Sequence, residues 1–195
     1  MTDSSFLSLL AHPSSSRGVV RRVAARAELA RPDWLRFHYV LEADLRDVRV
    51  PPPAADAARA DNLWAHTCFE AFVACARSPR YLELNFSPSG QWGAYAFESY
   101  RKGMAPAELD AAPRLTLRRS DERLELQAEV RCGAALLAAA TADLAPDRRL
   151  RLALSTVVED REGRLSYWAL SHPPGRPDFH HMDSFSLTLE LPATP

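Results

Sequence analysis

Hydrophobic and polar residues alternate along much of this chain. In Trp34–Ala43, Leu35, Phe37, Tyr39 and Leu41 interleave with Trp34, Arg36, His38 and Glu42. In Tyr81–Phe86, Leu82, Leu84 and Phe86 interleave with Tyr81, Glu83 and Asn85. Period two is the signature of a strand with distinct faces. The same reading covers Leu115–Leu117, Leu124–Val130, Leu150–Val158 and Phe185–Leu191, and extends to Val19–Leu29, His66–Ala74, Trp92–Phe97 and Leu165–Leu170. About ten short strands result, separated by turn signals such as Ser87-Pro88-Ser89-Gly90 and Asp160-Arg161-Glu162-Gly163.

Only Pro53–Arg59 and Ala134–Leu144 read as short helices, both in loops. Strand following strand without intervening helices excludes a doubly wound α/β fold. The expected architecture is all-β: one antiparallel β-sandwich domain of jelly-roll-like form spanning residues 1–195. Strands of the same kind lie on both sides of the Pro- and Ala-rich loops, so these are connections within a domain.

Composition narrows the chemistry. The hydrophobic fraction is 47% and the charged fraction 25%, as in ordinary globular proteins. Lys+Arg 24 against Asp+Glu 25 gives a net charge of −1, which argues against a general nucleic-acid partner. No apolar run is long enough for a membrane helix, and the first residues lack the pattern of a secretory leader, so a cytoplasmic location is expected. Cys68 and Cys75 fall at opposite ends of one predicted strand, about 20 Å apart, too far to bridge. Oligomeric state has no sequence signal. There is no phosphate loop, dinucleotide fingerprint, nucleophile elbow or His-Glu-x-x-His pair.

Polar and aromatic residues concentrate instead in three segments: Asp61–Phe72, Tyr81–Phe97, and Ser166–Pro173 running on to His181. By parity, His66, Cys68, Glu70 and Phe72 share one face of their strand, opposite Thr67, Phe69, Ala71 and Val73. Glu83 and Asn85 share the face opposite Leu82, Leu84 and Phe86. One sheet surface would thus carry His66, Glu70, Glu83 and Asn85, rimmed by tryptophan. Carboxylates and amides accept protons from polyol hydroxyls, and a flat ring covers the apolar face of a sugar. The plainer alternative is a solvated sheet face with Trp64, Trp92 and Trp168 packed in core or rim. His172, His180, His181 and Asp183 could suggest a metal. Adjacent histidines on a strand diverge, however, so no metal is expected. Arg22 and Arg26 read as a solvated strand face, as do Trp34 and Arg36.

The same segments resemble a known family. Asp61-Asn62-Leu63-Trp64, Thr67–Phe72, Tyr81–Pro88, Tyr100-Arg101, Val158-Glu159-Asp160, Ser166–His172 and Pro177–His181 are similar to the DOMON-like domains related to family 9 carbohydrate-binding modules. The likeness to the stand-alone bacterial type spans roughly Leu9 to Leu191. It implies a β-sandwich binding a ligand on or between its sheets, a sugar or haem, with the carboxylate after Leu-Trp near the binding face. The expected function is non-catalytic binding of a carbohydrate or sugar-containing metabolite, without a cofactor. Trp64, Trp92 and Trp168 are the candidate platforms. His66, Glu70, Glu83, Asn85, Arg101, His172 and His180 are the candidate polar contacts. Two alternatives stand beside this: haem or metal bound through His180 or His181 with Met182, and an enzyme using Glu70 with His66 or His172 as acid and base.

Overall fold

A computed structural model describes residues 5–15, 18–31, 33–75, 78–131, 133 and 149–191. The expected helix Ala134–Leu144 lies outside the described residues. In chain order the strands are β1 (Leu7–Ala11), β2 (Val20–Arg31), β3 (Trp34–Ala43), β4 (Cys68–Cys75), β5 (Tyr81–Phe86), β6 (Trp92–Phe97), β7 (Ala105–Pro106), β8 (Arg114–Arg119), β9 (Arg123–Arg131), β10 (Arg149–Glu159), β11 (Leu165–Ala169) and β12 (Leu187–Glu190). The two helical elements among the described residues are single 3₁₀ turns, Leu63–Ala65 and Met182–Ser184.

Named-strand pairings are all antiparallel and form one curled sheet in the order β7-β6-β5-β4-β10-β11-β1-β2-β3-β9-β8. It folds on itself at β1, whose Leu7–Leu9 pair with β2 while Leu10 and Ala11 pair with β11. β12 lies beside the start of β10, end to end with β11.

The fold follows from alternation. Phe37, Tyr39 and Leu41 of β3 and Leu124, Leu126 and Ala128 of β9 meet Phe69, Ala71, Val73, Leu82, Leu84 and Phe86 from the opposite layer. Rings pair across the interior: Phe37 with Phe86 at 5.9 Å, Tyr39 with Phe69 at 5.2 Å. Each such buried side chain contributes about 1.5–3 kcal/mol of transfer free energy. The Tyr39 hydroxyl donates to the Glu70 carbonyl at 2.7 Å, tying the layers together through a satisfied buried polar group. The outer face of β2, β3 and β9 carries a lattice of ion pairs. Arg36 bonds Glu28 at 2.8 Å and Glu129 at 2.7 Å, and Arg22 and Arg123 both reach Glu42 at 3.3 Å.

Two expectations need correction. Pro53–Arg59 is not a helix. Pro51, Pro52 and Pro53 in succession supply no backbone donors and hold the preceding residues extended. The segment instead runs beside β6, where Ala60 N–H donates to the Trp92 carbonyl at 2.8 Å and Arg59 bridges Trp92. His66 precedes β4 as the C-cap of the first 3₁₀ turn, so it does not share Glu70's strand face. The ten or so expected strands become twelve among the described residues, because β1 and β7 also pair. β1 is a Leu-Ser-Leu-Leu-Ala run without clean alternation, and β7 is two residues long.

A larger difference concerns the other face of β4, β5, β6 and β10. It is covered, and holds a second, smaller core of Phe72, Ala74, Tyr81, Tyr95, Phe97, Ala153, Val157, Phe179 and Phe185. The cover is the segment Pro177–Phe185, which has no period of its own.

Candidate functional site

Between that sheet face and its cover lies a pocket of about 440 Å³. Glu70 and Glu83 lie at its base; Trp64, Phe97, Tyr167 and Phe179 supply aromatic walls; Arg101 and His180 add polar groups. Met104, Leu165 and Pro177 complete much of the lining.

Strand register explains the base. Glu70 faces Asn85 across the β4–β5 ladder, and Phe72 faces Glu83, so the two carboxyls are diagonal neighbours on one face. Asn85 is fully buried, and its Nδ2 donates to Glu83 Oε1 at 2.8 Å. Glu70 is 3% exposed and its Oε1 has no partner. Burial pushes both carboxyls above the ordinary carboxylate value. For Glu83 the Asn85 hydrogen bond and the Arg101 charge oppose that rise. For Glu70 the Glu83 charge adds to it. Within the pair, Glu83 is the carboxyl better supported in its ionised form and Glu70 the one more disposed to keep its proton.

A relay of hydrogen bonds sets the opposite wall. The Arg101 N–H donates to the Tyr81 hydroxyl oxygen at 3.1 Å, and that hydroxyl lies 2.8 Å from His180 Nδ1. With Tyr81 donating to Nδ1, the ring proton sits on Nε2, 3.7 Å from Glu83 Oε2. Burial, helped by the Arg101 charge, pushes the His180 pKa down to about 4, so the ring is a neutral donor at pH 7. Arg101 has a left-handed backbone (φ 54°), and its guanidinium reaches Asp178 Oδ1 at 2.9 Å. Asp178 also accepts from the Tyr100 hydroxyl and from the His180 N–H. Burial raises its pKa, but the hydrogen bonds from Tyr100 and Arg101 outweigh this and hold it below the usual value.

The Asp61-Asn62-Leu63-Trp64 run places one ring of the wall. Asn62 takes a left-handed conformation (φ 60°) and starts the 3₁₀ turn that carries Trp64 over the pocket. Asp61 Oδ1 accepts from the Tyr95 hydroxyl at 2.5 Å, and the Trp64 ring meets the Tyr95 ring edge-on at 5.4 Å. Arg59 stacks over the same tyrosine.

Five of the ten candidate residues line the pocket: Trp64, Glu70, Glu83, Arg101 and His180. Asn85 lies behind them and holds Glu83. His66 Nδ1 is 2.7 Å from Glu159 Oε2, whose other oxygen takes Arg49. Trp92 packs against the main core. Trp168 is inside that core at 3% exposure, its indole N–H donating to Ser166 Oγ. His172 bonds the Leu10 carbonyl at 2.8 Å and sits edge-on against His12. His66 and His172 are thus both engaged outside the Glu70 pocket.

His180 turns inward and His181 outward, with His181 3.5 Å from Asp183. Met182 packs at the margin of the second core. Among the described residues no group of three or more His, Cys, Asp or Glu side chains converges as metal ligands would. Sequence reasoning passed over Phe97, Met104, Tyr167 and Phe179. Phe97 and Tyr167 could have been found by parity: Phe97 pairs with Tyr81, on Glu83's face, and Tyr167 is one residue from Trp168 and so points the other way.

No protein-family model matches this chain, and no curated protein is a significant relative. Solved structures share its fold. A proposed carbohydrate-binding protein from Bacteroides uniformis superposes with a TM-score of 0.68 at 16% identity, covering 96% of this chain and 86% of that one. A family 9 carbohydrate-binding module from Caldicellulosiruptor kristjanssonii superposes with a TM-score of 0.51 at 9% identity, over 99% of this chain and 86% of the module in its glucose complex. Its cellotriose complex gives the same TM-score and identity, with 85% of the module covered. The chain is therefore similar in fold to carbohydrate-binding modules.

Proposed function

We propose that this chain is a non-catalytic carbohydrate-binding domain of the DOMON-like type, and that its ligand occupies the pocket between the β4–β5 face and the Pro177–Phe185 segment. The observation that carries this reading is the lining itself. Buried acceptors at Glu70 and Glu83, and a neutral donor at His180, lie within walls formed by Trp64, Phe97, Tyr167 and Phe179. Sugar hydroxyls need such polar groups for orientation, and sugar C–H faces need the rings. The volume of about 440 Å³ is in the range of small-molecule sites and suits one or two sugar rings. The sugar complexes of the fold neighbours support the same reading.

Calorimetry of the full chain against a panel of mono- and disaccharides tests it. Binding of a sugar by wild type, weakened roughly 30-fold by Trp64→Ala with an unchanged thermal midpoint, is the expected result. Equal affinity in wild type and Trp64→Ala would place the ligand elsewhere.

A further inference from the structure

Glu70 Oε1 is, among the described residues, the one buried side-chain polar atom lining the pocket that has no hydrogen-bond partner. The hydroxyl of Ser155, directly across the β4–β10 ladder from Glu70, has none either. Unpaired polar groups at such depth cost free energy that a ligand can recover. The nearby cationic side chain, Arg101, directs its guanidinium to Asp178 at 2.9 Å and makes no hydrogen bond to Glu70 Oε1. Nor does His180, whose Nε2 faces Glu83. Glu83 already has Asn85 as a donor, so it adds a second acidic group to the same face as Glu70. Trp64, Phe97, Tyr167 and Phe179 surround this acidic base with rings whose electron-rich faces favour a cation.

A sugar hydroxyl offers this arrangement one donor and no charge. A protonated amine offers three donors and a positive charge, enough to meet the Glu70 carboxyl while offsetting the Glu83 charge. We propose that the pocket selects a sugar bearing a protonated amine, an amino sugar, with its ammonium group seated against Glu70. This rests on the carbohydrate reading and narrows it. An ammonium group seated there favours the ionised Glu70 carboxylate, which burial and the Glu83 charge otherwise disfavour.

The test is calorimetry at pH 7 with matched sets: glucose, galactose and mannose; their 2-amino counterparts; and the N-acetylated forms, in which the amine charge is gone. Wild type should bind an amino sugar roughly tenfold or more tighter than both its hydroxyl and N-acetyl counterparts. Glu70→Gln, which keeps the shape, should reduce that preference to within about twofold. If Glu70→Gln does not fold, the wild-type ranking alone decides. Neutral sugars binding as well as or better than their amino forms would overturn the amine assignment and leave the carbohydrate reading standing. Silence toward every sugar in the panel would overturn both.

Discussion

The Tyr81 hydroxyl and His180 Nδ1 lie 2.8 Å apart, joining the middle of the pocket sheet to the segment that covers it. The bond is made between an otherwise irregular stretch and a strand, so it fixes the depth at which Phe179 and His180 sit. Tyr81→Phe keeps the ring stacked on Phe97 at 4.7 Å but leaves both Nδ1 and the Arg101 N–H without that partner. We expect a loss of about 1–3 kcal/mol in urea unfolding, with weaker sugar binding. An unchanged midpoint and affinity would show that the cover is held by apolar packing alone.

His180 sets one pH response. Its folded pKa, about 4, lies below its ordinary value of 6.5, so the unfolded chain binds the proton more readily. The stability from the buried neutral ring is therefore complete above about pH 6.5 and is lost as pH falls toward 4. The imidazole Cε1–H resonance should titrate near pH 4; a midpoint near 6.5 would contradict the buried, neutral assignment.

Glu70 should behave in the opposite sense. Its folded pKa is raised, so its contribution is most favourable below about pH 4.5 and diminishes as pH rises toward the folded value. Glu70→Gln carries no such charge. The thermal midpoint of Glu70→Gln minus that of wild type should grow with pH above about 4.5, whereas a pH-independent gap would mean that Glu70 ionises normally.

The tryptophans separate by location. Trp64 is partly exposed over the pocket, while Trp168 is 3% exposed within the main core. Trp168→Ala should cost about 3–5 kcal/mol of stability. Trp64→Ala should reduce binding with little change in midpoint. The reverse pattern would move the site away from this pocket.

Cysteine reactivity follows from depth. The Cys68 thiol is buried beside Asn85, and burial, with the nearby Glu70 charge, pushes its pKa well up. It should resist thiol reagents in the native state and react on unfolding, while Cys75, half-buried at the other end of β4, reacts faster. Rapid native modification of Cys68 would show that this face opens.

Alternation made the strands legible, and with them the placing of Glu70, Glu83 and Asn85 on one face. That this face is buried was not legible. A strand covered on one side by a sheet and on the other by a loop alternates much like one facing water when the loop leaves polar groups around a cavity. Pro177–Phe185 contributes Phe179 and His180 through an aperiodic path that begins at a proline and ends in a 3₁₀ turn, and no local rule predicts where such a path docks. Trp168 was a candidate platform, yet the pocket receives its neighbour Tyr167, because ring size says nothing about which face a residue occupies. His66 sits one residue past a 3₁₀ turn, and that short interruption was enough to take it to Glu159.

β1 divides its five residues between two partners, β2 close by in sequence and β11 far away, with Leu10 opposite Ala169. The hairpin of β2 and β3 can therefore form from local pairings, but the layers cannot be joined until a segment some 160 residues later is in place. Such a non-local closure is entropically demanding and slows folding. On a chain synthesised from the N-terminus, the first strand must wait with one edge unpaired, and the pocket, roofed by residues that follow β11, is among the last parts of the molecule to form.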